Sequence, residues 1–172
     1  MSDQSNLCSG CGQEHGALPF SLSADYPDAY VGLTDDERKT RASLSSEQCI
    51  IDQEQFYVRG CIEIPIRGTD GVFLWGVWAK VEDQVFDAIS EHWDSEGREI
   101  KIGPYEGLLA NSLSIYPRTL NLRVKIQVMP VGVRPLFRIE DEDHSLAIEQ
   151  KYGITPEHAQ EYACHLLRLA NS

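Results

Sequence analysis

Gln55-Phe56-Tyr57-Val58-Arg59-Gly60-Cys61-Ile62-Glu63-Ile64-Pro65-Ile66 is the stretch that decides the fold class of this chain. Phe56, Val58, Gly60, Ile62, Ile64 and Ile66 fall on one face of an extended strand, and Tyr57, Arg59, Cys61 and Glu63 on the other. Just upstream, Cys49-Ile50-Ile51-Asp52 is short and apolar and Asp52 to Gln55 make a turn, so the two segments are expected to pair as a hairpin. Just downstream, Gly71 opens a strand from Val72 to Val81 that puts Trp75 and Trp78 on opposite faces, so both faces of the sheet have some cover.

Further out the pattern alternates between the two periods. Leu120, Leu122, Val124, Ile126 and Val128 point inward from a strand whose Asn121, Arg123, Lys125 and Gln127 point to water, and Leu136 to Ile139 returns as another strand after Pro130 and Pro135. Val85, Phe86, Ile89 and Trp93 repeat at helical spacing behind Glu82 and Asp83, giving an amphipathic helix that ends before Ser95-Glu96-Gly97. Thr34 with Glu37 three residues on is a capping box, which predicts a helix from Asp35 to Leu44. Two more helices close the chain. One runs from Leu146 to Tyr152 and stops at Gly153; the next has Thr155 as its N-cap and Pro156 at its first position. Strands and helices do not alternate, so the expected class is α+β, a mostly antiparallel sheet flanked by helices. Residues 1–172 read as one domain: an irregular cysteine-containing lobe over 1–30, zinc-knuckle-like, packed on an α+β core over 46–172.

At 172 residues a single domain buries roughly 70% of the surface its unfolded chain exposes, enough for a core without disulfides. Hydrophobic residues make up 42% and charged ones 24%, the balance of a globular protein. No apolar run approaches the length of a membrane helix, and Met1-Ser2-Asp3-Gln4-Ser5-Asn6 lacks the layout of a signal peptide, so no membrane association and a cytoplasmic location are expected. Twenty-seven Asp and Glu against fifteen Lys and Arg leave a net charge of −12, which repels a phosphate backbone and excludes nucleic acid as an expected partner. A basic protein suits such a surface better.

The convergent chemistry lies near the start. Cys8-Ser9-Gly10-Cys11-Gly12 has the zinc-knuckle spacing, in which two thiolates share one tetrahedral ion and the glycine lets backbone amides approach the sulfurs. A closed site needs two more ligands, for which His15 and Cys49 stand first and Cys61 next. Cys49 and Cys61 depend on the hairpin register. A two-residue loop sets Cys49 opposite Val58 and sends it to the other face from Cys61, whereas a three-residue loop or a bulge at Gly60 puts them on one face. No helix starts at the Cys8–Cys11 pair, so thioredoxin-type chemistry is the weaker reading. Asp143-His144-Ser145 lists the residue types of a hydrolase triad, but neighbours in sequence cannot aim at one another as a relay, and helix capping is the expected role. His158 and His165 are two helical turns apart, about 10.5 Å, too far for one ion. His92, at a helix end, is placed to meet the terminal carbonyls.

Together, Cys8-x-x-Cys11-Gly12-x-x-His15, Cys49-Ile50-Ile51-Asp52, Phe56 to Pro65, Trp75-Gly76-Val77-Trp78 and His144 to Gln150 with Gly153-Ile154-Thr155 resemble a bacterial family of unknown function, domain-of-unknown-function family 2199. The resemblance spans nearly the whole chain and implies one intact domain with His15 and Cys49 as the better ligand candidates. Ser145 stands where the family usually shows proline, which implies a turn relaxed in this chain. The family brings no activity with it. The expected function is therefore a non-catalytic, zinc-stabilised binding or protein-interaction domain with Zn2+ held by Cys8, Cys11, His15 and Cys49. The alternative is an enzyme whose cleft gathers Arg59, Trp78, Tyr105 and His144 from distant segments.

Overall fold

A computed structural model describes residues 21–170 of the chain. In chain order the elements are β1 (Ser21–Ser23), α1 (Asp28–Val31), α2 (Asp35–Arg41), β2 (Ala42–Leu44), β3 (Gln48–Ile51), β4 (Gln55–Pro65), β5 (Val72–Val81), α3 (Asp83–Glu91), α4 (Arg98–Lys101), β6 (Tyr105–Leu109), β7 (Arg123–Gln127), β8 (Leu136–Ile139), α5 (Ser145–Tyr152) and α6 (Pro156–Ala170). The class is α+β, as the mixed periods require.

The sheet is not an open layer with helices beside it; it closes on itself. β4 and β5 pair antiparallel along their whole length, from Phe56 opposite Val81 to Pro65 opposite Val72. β5 then passes to β6 at Ala79–Leu109 and Lys80–Leu108, β6 to β7, β7 to β8, and β8 returns parallel to β4 at Leu136–Cys61. The ring β4-β5-β6-β7-β8 is a barrel, with β3 and β2 extending from β4 and β1 lying parallel on β5. Closure is open to β4 and β5 because each is long enough to hold two different neighbours on its outer edge: β3 and β8 for β4, β1 and β6 for β5. Closure removes the sheet's free edges along the ring except where β4 and β8 part beyond Cys61–Leu136.

The alternation of β4 runs without interruption. Val58, Ile62 and Ile64 point into the barrel with Phe73, Trp75, Val77, Val124, Ile126 and Phe137, all buried. Each such side chain taken from water stabilises by about 1.5–3 kcal/mol. Tyr57 and Trp78 point outward into a second, smaller cluster with Cys49 and Ile51, covered by Ala24, Tyr30, Leu33, Ala42 and Leu44. The opposite faces of Trp75 and Trp78 are thus both buried, one in each cluster.

At the seam where β8 meets β4, Gly60 is a steric requirement. A Cβ there would lie 2.4 Å from the Phe137 ring and 2.8 Å from the Pro135 carbonyl. The close approach lets the Cys61 N–H donate to the Pro135 carbonyl at 2.9 Å and starts the parallel pairing. Beyond that point the strands diverge, and α5 covers the gap. The Gln150 side chain acts as a short strand of its own, accepting from the Ile139 N–H at 2.9 Å and donating to the Phe137 carbonyl at 2.8 Å. Gly153 ends α5 with φ +79°, and a Cβ there would strike the Pro65 carbonyl at 2.7 Å. That turn delivers Ile154, whose N–H donates to Pro65 and whose carbonyl accepts from Arg67.

Local signals read from the sequence hold for the most part. The Thr34–Glu37 capping box forms in both directions, but α2 stops at Arg41, because residues 42–44 pair with β3 as β2. The strand expected from Leu120 begins only at Arg123, with Leu120 exposed. Thr155 caps α6, its hydroxyl accepting from the His158 N–H. The segment expected to be irregular over 1–30 carries β1 and the start of α1 within its described part, since Ser21 to Ser23 pair with Leu74 to Gly76. The zinc-knuckle reading of Cys8, Cys11 and His15 lies outside the described residues.

Ser145 is the first residue of α5, where an N–H has no helical partner and proline fits. His144 before it is extended, φ −75° and ψ 141°, the conformation a following proline demands. The Ser145 hydroxyl is buried with no hydrogen-bond partner. Ser145→Pro is therefore expected to stabilise the fold by about 0.5–1 kcal/mol in urea unfolding, with the slope unchanged. A loss of stability would show that the hydroxyl contributes more than its contacts reveal.

Candidate functional site

The hairpin loop has three residues, Asp52, Gln53 and Glu54, between the paired Ile51 and Gln55. Asp52 and Gln53 take positive φ, 54° and 56°, and the Arg41 guanidinium clasps the Asp52 carboxylate from α2 at 2.7 and 2.8 Å. Of the two registers open in the sequence, the loop selects the one that pairs Cys49 with Tyr57 and sets Cys49 on the same outer face as Cys61. Sharing a face does not bring them together. Four residues of strand separate Tyr57 from Cys61, about 13 Å, so one ion cannot take both sulfurs.

Cys49 is 0% exposed, and burial pushes its thiol up to about 11. Burial raises the Cys61 thiol as well, against the pull of the Arg134 guanidinium. Both thiols are thus held protonated at neutral pH, as small apolar side chains are. Among the described residues no group of three or more His, Cys, Asp and Glu is arranged to hold a metal ion. Cys49 would need ligands from outside them.

The four residues of the enzymatic alternative do not share a cleft. The Arg59 guanidinium stacks over the Trp78 ring at 5.7 Å on the outside of the barrel, donating to the Ser46 carbonyl at 3.1 Å, with the Asp25 carboxylate at 3.8 Å. Trp78 donates its indole N–H to the Ala24 carbonyl. The pair pins β1 and the β2–β3 turn to the barrel wall. Tyr105 opposes Ile126 on β6 and packs against the barrel core. His144 caps α5, its Nδ1 accepting from the Leu146 N–H at 3.1 Å while Nε2 contacts the Pro117 carbonyl. Capping is thus the role of the Asp143-His144-Ser145 run. His158 stacks on Tyr162 at 4.7 Å between centroids, and His165 is exposed. His92 sits at the C-cap of α3, but its Nδ1 is buried without a partner, so the expected bond to a terminal carbonyl is not made by that atom.

Two polar constellations were not legible in the sequence. Glu149 on α5 accepts from Tyr116 Oη at 2.6 Å with one carboxylate oxygen and from Tyr162 Oη with the other. Phe73, Trp75, Tyr116 and Tyr162 make edge contacts around it at 5.4–5.9 Å between centroids. Burial, reinforced by the carboxylate that accepts their protons' hydrogen bonds, holds both phenols well above the ordinary tyrosine range. Each carboxylate oxygen already has a donor, so the group ties α5 to α6 and to the 113–119 loop.

Arg98 is the second. Its side chain is buried, and the guanidinium donates to four backbone carbonyls: Met129 at 2.7 Å, Trp93 at 2.8 Å, Val133 at 3.1 Å and Pro130 at 3.2 Å. It also stacks over the Trp93 ring at 5.5 Å. Beside it, Arg134 pairs with Glu47 through two nitrogens, joining the β7–β8 loop to the β2–β3 turn.

These arrangements define an α+β barrel protein in which the strongest polar groups hold loops and helices to the barrel. The chain matches, over residues 7–154, the family described as an uncharacterised protein conserved in bacteria (DUF2199), and it belongs to that family. Among the curated proteins and among the solved structures, none matches the chain. No helix among the described residues is long and apolar enough to cross a membrane.

Proposed function

We propose that this chain is a non-catalytic binding domain of the bacterial cytoplasm, stabilised by one Zn2+ and directed at a basic protein partner. The observation that carries the reading is the Cys8-x-x-Cys11-Gly12 turn with His15 behind it, thiolate spacing suited to one tetrahedral ion. Cys49 is the proposed fourth ligand and Cys61 its replacement. Zn2+ at either would take a thiol that burial keeps neutral and deprotonate it, so that ion and thiolate compensate one another in the apolar cluster. The excess of acids, −12 in all, supports a cationic partner by charge complementarity. Support against turnover comes from the polar groups themselves. Arg98, His144 and Glu149 make their hydrogen bonds to the fold, and Arg59 donates to the Ser46 carbonyl, with its buried Nε unpartnered among the described residues.

Elemental analysis of protein purified without added metal tests the reading, repeated on Cys11→Ser. One zinc per chain, lost in the variant together with several degrees of thermal stability, is the expected result. Metal-free wild type of equal stability overturns it. So does a disulfide found at Cys8, Cys11 or Cys49 in the purified protein, since zinc binds the thiolate and not a disulfide sulfur.

A further inference from the structure

Where β4 and β8 part beyond Cys61–Leu136, a cleft of about 420 Å³ opens on the outer wall of the barrel. That volume lies within the roughly 300–1,000 Å³ range of small-molecule sites. Pro65, Val72 and Leu136 give it an apolar lining, with Val72 40% exposed among the described residues. Lys125 and Arg138 stand on its wall, and they are direct cross-strand partners of β7 and β8.

We propose that this cleft binds a small organic acid, its carboxylate on Lys125 and Arg138 and its hydrocarbon body on Pro65, Val72 and Leu136. Like charges directly opposite one another destabilise a ladder, and this one occurs in a chain with nearly twice as many acids as bases. The cost is recovered when an anion enters between them, and a guanidinium beside an ammonium suits a carboxylate. Two acids stand near the pair, Glu106 opposite Lys125 on β6 and Glu63 in the lining of the cleft itself. Among the described residues neither acid forms an ion pair with Lys125 or Arg138, which leaves both cations available to an anion. Gln150 contributes shape alone, because its amide is engaged at both ends by β8. The proposal rests on the reading of the chain as a binding domain and not on the metal.

Octanoate and octan-1-ol, titrated into the full chain and followed by backbone amide chemical shifts, test the site. Octanoate is expected to give saturable shifts centred on residues 63–65, 125–127 and 136–138, and to bind about tenfold more tightly than the alcohol. In Lys125→Gln/Arg138→Gln that preference disappears while the alcohol still binds. The single Arg138→Gln variant, expected to fall between, serves if the double variant does not fold. No saturable shift at the cleft up to millimolar octanoate, shifts centred elsewhere, or an unchanged preference in the variants overturns the proposal. Zinc content is unaffected by any of these outcomes, so failure here is distinct from failure of the metal reading.

Discussion

Replacing Gly60 by alanine is expected to cost at least about 3 kcal/mol, the upper end of what overpacking does in a well-filled core. The added methyl would sit 2.4 Å from the Phe137 ring and 2.8 Å from a backbone carbonyl, and only the ring can move. In a domain of this size that loss lowers the melting temperature by about 6–12 °C. A second substitution identifies the cause. Phe137→Leu is itself destabilising, since the ring is buried, but in the Gly60→Ala background it removes the clashing edge and is expected to cost less than in the wild type. Such a favourable coupling in the double-mutant cycle locates the clash at the β4–β8 seam. Additive losses would mean that β8 does not cross β4 at this glycine, and the barrel would be open.

Arg98→Met is expected to be comparably severe. Methionine keeps much of the buried stem but leaves the carbonyls of Trp93, Met129, Pro130 and Val133 without their donor. One buried polar group left unsatisfied costs about 1–3 kcal/mol, and the loops carrying these four can relax enough to wet some of them. A net loss of about 3 kcal/mol in urea unfolding is expected. Arg98→Lys should recover only a minor part, because one ammonium cannot span the arc that the planar fork covers. Rescue by lysine to near wild-type stability would show that the charge, and not the geometry of the fork, holds the β7–β8 loop.

How far the sequence could be read follows from what each feature depends on. Period and capping are local, and they were legible: the faces of β4, the bounds of β5, the Thr34–Glu37 box, and Thr155 with Pro156 at the start of α6. Closure of the sheet was not. It depends on Gly60 meeting Phe137 across a long sequence separation, and a glycine in a strand pattern signals close approach without naming what approaches. β6 was missed because Tyr105 to Leu109 has no clean alternation, with Gly107 in its middle passing close to the Lys80 carbonyl. The hairpin register was open by one residue, and the left-handed Asp52 and Gln53 fixed it. Among candidate functional residues, the capping role of His144 was legible from its place before a helix. The partners of Glu149 and Arg98 lie on other elements, so no spacing announces them. Lys125 and Arg138 could have been paired only by knowing that β7 and β8 are neighbours in that register.

X-ray absorption at the zinc edge, on protein expressed without added metal, tests the central claim most directly. A structural clip predicts four protein ligands of sulfur and nitrogen, with zinc–sulfur distances of about 2.3 Å and no water in the shell. Three protein ligands and a solvent oxygen would contradict it and return the chain to the enzymes, and an absent zinc edge would remove the metal from the account altogether.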